Sequence, residues 1–180
     1  MNIIEYKPQY EEEVKDLLVE LQEHLASLDK RKVIILKKNY RDDYFAYIIS
    51  ECKKHEGVIF IAEEGGHAIG LVVAKIFQDG TEYNLTTSCP KIGFISDLVV
   101  KKDKRGKGIG KILIEKAERY FSEKKCEYTQ LEVFAPNERA LELYKKLGFM
   151  VNSYYLSKKT GQDNKKLRLD IRRINDLHYG

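Results

Sequence analysis

The organisation of this chain is decided by one stretch, Lys104-Arg105-Gly106-Lys107-Gly108-Ile109-Gly110-Lys111. The apolar run before it, residues 92–100, predicts a buried strand, and the amphipathic pattern after it predicts a helix that ends near residue 125. Three glycines at alternate positions let the backbone adopt positive φ and let a ligand approach its amides. The first turn of the helix adds unpaired N–H groups and the positive end of the helix dipole. Because both features attract anions, the stretch predicts a phosphate-binding site.

Two common phosphate-binding patterns do not match this stretch. A P-loop requires a glycine where this chain has Arg105, and a Ser or Thr where it has Ile112. The dinucleotide fingerprint requires a gap of two residues between two of its glycines, and here both gaps are single residues. What remains is the pattern Arg-x-x-Gly-x-Gly, at Arg105, Gly108 and Gly110, or else a glycine-rich turn that carries solvated lysines.

Two stretches resemble a known family. With the strand Ile95-Ser96-Asp97-Leu98-Val99-Val100 before it, the Arg-x-x-Gly-x-Gly pattern resembles the acetyl-coenzyme A (acetyl-CoA) loop of the GNAT acetyltransferases. The second stretch is Asn137-Glu138-Arg139-Ala140-Leu141-Glu142-Leu143-Tyr144-Lys145-Lys146-Leu147-Gly148-Phe149. The N-terminal half resembles the family only in the order of its elements. The resemblance implies an N-acetyltransferase that moves an acetyl group from acetyl-CoA to a primary amine of a small molecule or peptide, by direct attack in a ternary complex.

Length and composition place further bounds on the protein. With 180 residues, 33% of them charged, and no apolar run of membrane length, we expect one domain over residues 1–180 that does not interact with a membrane. The net charge of +4 disfavours nucleic-acid binding, although basic residues concentrate around the glycine loop. The N-terminus shows no secretory signal, and Cys52, Cys89 and Cys126 are odd in number and widely spaced. We therefore expect a cytoplasmic protein without a metal site, and a homodimer stays open.

The periodicity of the apolar residues predicts the element order β, α, α, β, β, β, α, β, α, β, β. The predicted strands are residues 2–7, 58–62, 68–77, 92–100, 128–134, 149–156 and 167–171, and the predicted helices are residues 9–28, 42–55, the segment that ends near 125, and 138–147. Residues 33–36 are compatible with a short strand or a packed loop. The order, like the resemblance, predicts an α/β fold with a mixed, mostly antiparallel sheet, one parallel β-α-β crossover and helices on both faces.

The resemblance assigns the acetyl donor to the end of the central strand and to the glycine loop. The positions that it implies are Leu98, Val99 and Val100 in the strand, Arg105, Gly106, Lys107, Gly108, Ile109, Gly110 and Lys111 in the loop, and Asn137, which is also a good N-cap, in the second motif. A strand end that leaves its neighbour exposes N–H and C=O groups, which can pair with the amides of the pantetheine arm. An amide near Leu98 or Val99 could also polarise the thioester carbonyl.

The chemistry requires an amine that loses a proton and a thiolate that gains one. Asp97 and Glu132, each on a predicted central strand, are the candidate bases, directly or through a chain of waters. Tyr144 is the candidate acid, and it lies on the same side of its helix as Asn137. The alternatives are structural pairing for each carboxylate and core packing for Tyr144. A non-catalytic sensor of coenzyme A or a nucleotide would keep the glycine loop without needing Tyr144.

The acceptor is the part of the site about which the sequence says least. The resemblance implies a position between the first two helices and the central strands, where the chain offers Asp42, Asp43, Tyr44 and Tyr47. Acidic and aromatic side chains suit a cationic amine, such as a polyamine, an aminocyclitol or a lysine side chain. An ordinary solvated helix face is the alternative.

Overall fold

One mixed sheet carries the fold. The structure is a computed structural model that describes residues 1–78 and 90–159, and in these residues the strands follow the order β1-β2-β3-β4-β5. The strands are β1 Asn2–Glu5, β2 Val58–Glu64, β3 His67–Gln78, β4 Lys91–Val100 and β5 Tyr128–Leu131. β1 to β4 pair antiparallel with their neighbours, and β5 pairs parallel with β4. The predicted mixed, mostly antiparallel sheet is therefore confirmed.

Helices cover both faces of this sheet. They are α1 Glu11–Leu28, α2 Tyr40–Lys54, α3 Ile109–Glu123 and α4 Glu138–Lys146. Apolar residues of α1 and α2 pack on one face, in a cluster that includes Leu71 and Val99. On the other face α3 packs through Leu113 and Phe121, and Leu143 of α4 joins the edge of that cluster. The prediction of helices on both faces is confirmed.

The β4–α3–β5 crossover is the predicted parallel unit. Its helix lies directly against the backbone of β4, because a Cβ on Gly93 would lie 2.2 Å from the Phe121 ring. Pairing between β4 and β5 ends at Ile95 and Leu131. In the described part of the chain, residues 96–100 of β4 therefore have no partner from β5, and β4 ends with one open edge.

A β-bulge at Ser96 changes the direction of the side chains along β4. Asp97 pairs with Val73 and Ile95 pairs with Ala74, so Ser96 is the extra residue in the ladder. Ile95 packs in the α3 cluster, whereas Val99 packs in the cluster with α1 and α2. Residues four apart on a regular strand would share a face. The bulge therefore turns Asp97 toward the face that α1 and α2 cover.

The connection between α1 and α2 is a loop, which decides the open question about residues 33–36. Asp29 is buried, and its carboxylate accepts hydrogen bonds from the backbone N–H groups of Arg31 (3.1 Å), Val33 (2.8 Å) and Ile34 (3.0 Å). Burial by itself raises the pKa of Asp29, but these bonds and one from the Arg31 side chain outweigh it and lower the pKa to about 2. One carboxylate thus organises the loop.

The chain after α4 departs from the prediction. Residues 149–159 contain no strand, so the predicted strand over 149–156 is wrong, and its predicted partner, residues 167–171, lies outside the described residues. The side chains of Met150, Tyr154 and Tyr155 are exposed. Apolar alternation produces a strand only where another backbone pairs with it. The chain divides into two compact units, Met1–Phe149 and a second that begins at Met150, so the single domain over 1–180 stays a prediction.

Candidate active site

The open edge of β4 presents backbone groups at the end of the strand. Lys101 N–H donates to the C=O of Ile69 on β3 at 2.9 Å, whereas the C=O of Val100 accepts from the Arg105 side chain at 2.8 Å. Because backbone groups alternate along a strand, Leu98 directs its N–H and C=O to the same open edge as Val100. Val99 directs its backbone N–H and C=O toward β3, and its side chain is buried. Leu98 therefore offers its N–H and its C=O to a ligand, and Val100 offers its N–H, because its C=O is bonded to Arg105.

The glycine loop ends at Gly108, the residue before α3. Gly108 has a φ of 79°, in the left-handed region that favours glycine, and a Cβ there would meet no atom within 4 Å. The first intrahelical bond of α3 runs from Ile112 N–H to the C=O of Gly108 at 3.2 Å. The preceding N–H groups, on Ile109, Gly110 and Lys111, have no partner within the helix. Open space beside free amides is the geometry that the predicted phosphate site requires.

Arg105 has partners other than a phosphate in this structure. Its Nε donates to the C=O of Val100, and its Nη2 donates to Glu20 Oε1 on α1 at 2.6 Å. The guanidinium is partly buried in this ion pair. Arg105 therefore fastens the loop to the end of β4 and to α1, where the sequence had predicted a contact with the donor. The contact of Arg105 with the donor stays a prediction.

Arg139, in the first turn of α4, is a basic residue that the sequence analysis missed. Its Nη2 lies 3.8 Å from the position that a Cβ would take on Gly106. Among the described residues no ion pair engages its guanidinium. Lys107 and Lys111 are also exposed beside the loop, and Lys111 Nζ lies 3.7 Å from the Glu115 carboxylate. The sequence signal for Arg139 was its place two residues after Asn137 in the second motif.

The helix α4 packs beside the glycine loop and carries Tyr144. Asn137 caps this helix, since its Oδ1 accepts from Ala140 N–H at 3.3 Å. The Leu143 side chain lies 3.7 Å from the Cβ position of Gly110. Tyr144 is half-buried, with its ring edge-to-face on Phe149 at 5.9 Å. Burial raises the pKa of Tyr144 to about 12, so the hydroxyl keeps its proton at neutral pH.

Asp97 and Tyr44, which the sequence analysis placed in separate roles, are hydrogen-bonded to each other. Tyr44 Oη donates to Asp97 Oδ1 at 2.7 Å, and Ser96 Oγ donates to Asp97 Oδ2 at 2.7 Å. Burial, followed by the Asp97 charge and hydrogen bond, raises the pKa of Tyr44 above its usual range. The bulge at Ser96 creates this contact, because it turns Asp97 toward α2. No local sequence pattern indicated it.

Three tyrosines on one side of α2 form the wall of an open pocket. Its volume is about 330 Å³, and its lining residues are Ile35, Lys37, Tyr40, Asp43, Tyr44 and Tyr47. The rings of Tyr40 and Tyr44 are stacked at 5.0 Å, and those of Tyr44 and Tyr47 at 6.0 Å. Three predicted acceptor residues, Asp43, Tyr44 and Tyr47, are thus brought together, and Tyr40 is the member that the sequence analysis missed.

Two predicted site residues lie elsewhere. Asp42 Oδ1 is 2.9 Å from the Nζ of Lys15 on α1, so its charge is already paired. Glu132 is exposed and lies beyond the end of β5, which forms the edge of the sheet in the described residues. Its predicted place on a central strand is therefore wrong, because β5 stops at Leu131.

Neither a metal cluster nor a membrane helix is found in residues 1–78 and 90–159. No group of three or more His, Cys, Asp or Glu side chains there could hold a metal ion. No helix there is long and apolar enough to cross a membrane.

Comparison with protein families identifies the fold. The model of the acetyltransferase (GNAT) family matches residues 12–149. The chain belongs to this family. The match includes both stretches that carry the resemblance, and it also includes the N-terminal helices, which the sequence analysis connected to the GNAT family only by element order.

Individual proteins agree with this assignment. An N-alpha-acetyltransferase of Arabidopsis thaliana is 32% identical over 130 residues, which are 70% of this chain and 60% of that relative's length. A solved structure from Bacillus halodurans superposes with a TM-score of 0.77 at 23% identity, over 88% of this chain and 99% of that one. An aminoglycoside N-acetyltransferase solved with CoA superposes with a TM-score of 0.65 at 19% identity, over 89% and 95%. At these identities the two solved structures show a likeness of fold alone.

Proposed function

We propose that this protein is an N-acetyltransferase that moves the acetyl group of acetyl-CoA to a primary amine by direct attack in a ternary complex. The observation that carries the proposal is the end of β4, where residues 97–100 combine a buried carboxylate on one face with an open backbone edge next to the glycine loop. The aminoglycoside enzyme of the same fold was solved with CoA, and the Arabidopsis relative is an N-alpha-acetyltransferase. Both support the proposal.

The donor is expected to lie along the open edge of β4 with its phosphates at the start of α3. Leu98 and Val100 can pair with the amides of the pantetheine arm as a neighbouring strand would. The N–H groups of Ile109, Gly110 and Lys111 can bind phosphate oxygens, and the helix dipole adds to this attraction. Arg139 and Lys107 would supply charge outside the loop, whereas Arg105 holds the loop in position through Glu20.

The reaction is an exchange of one bond for another at the thioester carbon. The amine nitrogen forms a bond to this carbon, and the carbon–sulfur bond breaks. The Leu98 N–H, on the open edge, would stabilise the developing oxyanion. Tyr144 would protonate the departing thiolate. Since its pKa is about 12 and that of a thiol is about 8.5, Tyr144 is a weak acid for this task, and we expect an effect at the low end of acid catalysis.

The pocket favours the α-amine of a peptide as the first acceptor class. Ile35 is 68% exposed and Tyr47 is 52% exposed, so both present apolar surface that a side chain next to the amine could cover. The lining includes one carboxylate, Asp43, and one ammonium, Lys37, and Asp42 is paired with Lys15. This balance suits a polyamine poorly. A lysine side chain or an aminocyclitol is the second candidate, favoured by Asp43 beside the stacked rings.

The cysteines bear on the compartment in which the reaction takes place. Cys52 and Cys126 are free thiols, and Cys89 lies outside the described residues. Free thiols are typical of a reducing compartment. We therefore place the proposed reaction in the cytoplasm.

The experiment that tests the function is the release of free thiol from acetyl-CoA in the presence of candidate amines. The panel comprises short peptides with a free α-amine, the same peptides with a blocked α-amine and one lysine, a polyamine and an aminoglycoside. We expect release to rise with the free α-amine peptides, and mass spectrometry to find one acetyl group on the α-nitrogen. Thiol release that no amine increases would refute acetyl transfer, whereas binding without release would favour the sensor.

A further inference from the structure

Tyr44 connects the pocket to a buried carboxylate. Its ring lines the pocket, and its hydroxyl donates to Asp97 Oδ1 at 2.7 Å. Asp97 is only 5% exposed and is not among the residues that line the pocket. A ligand in the pocket therefore reaches the oxygen of Tyr44 before it reaches Asp97.

The directions of these hydrogen bonds limit what each group can do. Each oxygen of Asp97 accepts from one hydroxyl, that of Tyr44 or that of Ser96. Tyr44 has one proton and directs it to Asp97, so its oxygen can only accept from a ligand in the pocket. An amine or ammonium N–H is a donor of that kind. The tyrosine oxygen thus joins an N–H in the pocket to the carboxylate behind it.

The groups around the pair bear on its pH dependence. Those that face it are Tyr40, Tyr47 and Cys52 on α2, Lys75 on β3, and Lys37 and Asp43 at the pocket. Burial raises the pKa of Cys52 to about 11, and burial together with the Asp97 charge raises the pKa of Tyr40. Both groups, like Tyr44, keep their protons between pH 6 and 9. Over that range a peptide α-amine changes its protonation state, because its pKa is about 7.8.

We propose that Tyr44 relays the proton of the acceptor amine to Asp97, a step that rests on the proposed acetyl transfer. Before the attack, one N–H bond of the ammonium form of the acceptor breaks and its proton bonds to Tyr44 Oη, which leaves the nitrogen with a lone pair for the thioester carbon. A second proton leaves the nitrogen as the carbon–sulfur bond breaks, and it replaces the proton that Tyr144 gives to the thiolate. The original hydroxyl proton of Tyr44 moves to Asp97 Oδ1. Tyr44 ends as a neutral phenol and Asp97 as a neutral carboxylic acid. The reverse transfer returns the proton to water after the product leaves the pocket, and nothing is oxidised or reduced.

The test compares the pH dependence of Tyr44→Phe with that of the wild type. The probe is a short peptide with a free α-amine and an apolar first residue, at saturating acetyl-CoA. Without the relay, the variant acetylates only peptide that is already neutral, a share that falls about tenfold per pH unit below pH 7. We expect log(kcat/KM) for the peptide to fall with a slope of about one in Tyr44→Phe and to stay nearly flat in the wild type. The defect should reach about a hundredfold at pH 6 and shrink toward pH 9.

Two other tyrosines provide matched controls. Tyr120→Phe also removes one donating hydroxyl, the one bonded to the C=O of Glu56 at 2.5 Å, but on α3 at the other face of the sheet. It should keep the wild-type pH profile. Tyr47→Phe removes a hydroxyl from the same row of rings and leaves the Tyr44–Asp97 hydrogen bond in place, so it should not steepen the profile. If Tyr44→Phe and the wild type have the same pH dependence, the relay is refuted and acetyl transfer stands.

A measurement on the wild type keeps the test valid even if Tyr44→Phe fails to fold. The rate of single-turnover acetyl transfer in mixtures of H2O and D2O reports how many protons move in the step. The relay moves two, so we expect a curved dependence on the deuterium fraction, and a linear dependence would overturn it. If the wild type releases no thiol with any amine of the panel, the proposed function and the relay are refuted together.

Discussion

The donor side and the acceptor side of this site are built by different means. On the donor side the binding groups belong to the backbone: the edge of β4 at Leu98 and Val100, and the first amides of α3. On the acceptor side they are side chains, and the central pair, Tyr44 and Asp97, is 53 residues apart in sequence. A backbone site depends on local conformation, whereas a side-chain site depends on how distant elements pack. The two sides should therefore respond to different kinds of substitution.

The largest effect should come from a change of backbone conformation on the donor side. Gly108→Val places a β-branched side chain at a φ of 79°, at a strain of about 1–2 kcal/mol, and fills the space in front of the α3 amides. Loss of two charge-assisted hydrogen bonds, each worth about 1.5–3 kcal/mol, should lower the affinity for acetyl-CoA by a factor of about a hundred to ten thousand. Isothermal calorimetry measures this affinity.

Gly66→Val is the control that separates the effect of backbone strain from the loss of the donor-binding site. Gly66 has a φ of 85° in the β2–β3 turn, and a Cβ there also meets no atom within 4 Å. It should lower stability about as much as Gly108→Val and leave donor affinity alone. If Gly108→Val binds acetyl-CoA like the wild type, the glycine loop is not the donor site.

The next effect distinguishes the two candidate proton-transfer hydroxyls. Tyr144→Phe removes the proposed acid and keeps the ring on Phe149, so kcat should fall about a hundredfold with donor affinity unchanged. Because the pKa of Tyr144 is about 12, this defect should be constant between pH 6 and 9, unlike that of Tyr44→Phe. Steady-state rates over this pH range measure both. A kcat within about twofold of the wild type would return Tyr144 to core packing.

A smaller effect tests which arginine serves the donor. Arg139→Ala should weaken binding of acetyl-CoA about tenfold, since an exposed charge–phosphate contact is worth about 1.4 kcal/mol. Binding of acetylpantetheine, which carries no phosphate group, should not change. Arg105→Ala should mainly lower the unfolding temperature, because Glu20 and the C=O of Val100 lose their donor. The assignment is reversed if Arg105→Ala weakens phosphate-dependent binding and Arg139→Ala does not.

The smallest effect concerns the loop that forms part of the acceptor pocket. Asp29→Asn turns an amide N–H2 toward the N–H groups of Val33 and Ile34, so the variant should unfold a few degrees below the wild type at pH 7. The folded pKa of Asp29, about 2, is below its ordinary 3.8. The stability that its charge supplies is therefore present above pH 4 and is lost as the pH falls toward 2.

Because the pKa of Asp29 is lowered in the folded state, the stability of Asp29→Asn relative to the wild type should depend on pH. The difference in unfolding temperature between variant and wild type should shrink between pH 4 and 2, as scanning calorimetry can measure. The KM of the peptide should rise modestly, since Ile35 and Lys37 of this loop line the pocket, while donor affinity stays unchanged. A difference that is constant with pH would mean that the Asp29 charge does not hold the loop.

The sequence could predict the donor side because its information is local. Alternate glycines at 106, 108 and 110, between an apolar strand and an amphipathic helix, indicate one geometry, and the element order up to α4 follows from periodicity alone. The hydrogen-bond partners of Arg105 could not be predicted from the sequence. The hydrogen bond of Arg105 with Glu20, 85 residues away, depends on the position of α1, and no local pattern indicates it.

The acceptor side could be predicted only as a set of residue types. Asp97 follows a bulge at Ser96, and no residue pattern in β4 predicts this bulge. Without the bulge, the side chain of Asp97 would face α3. The contact with Tyr44 depends on that bulge and on the packing of α2 against the sheet. The prediction of a strand over residues 149–156 was wrong for a related reason, because apolar alternation does not show whether another strand pairs with the segment.

The central claim is that the donor binds to backbone groups at the edge of β4 and the start of α3, and that the acceptor binds in the tyrosine pocket, on the face of the sheet that α1 and α2 cover. Amide hydrogen exchange with and without acetyl-CoA, under conditions where calorimetry shows binding, tests it most directly. The account predicts slower exchange at Leu98, Val100 and residues 109–111, with no change at Ile35 and Lys37 until the peptide is added. Saturating acetyl-CoA that leaves Leu98 and Val100 unprotected, or that protects the tyrosine pocket instead, would contradict it.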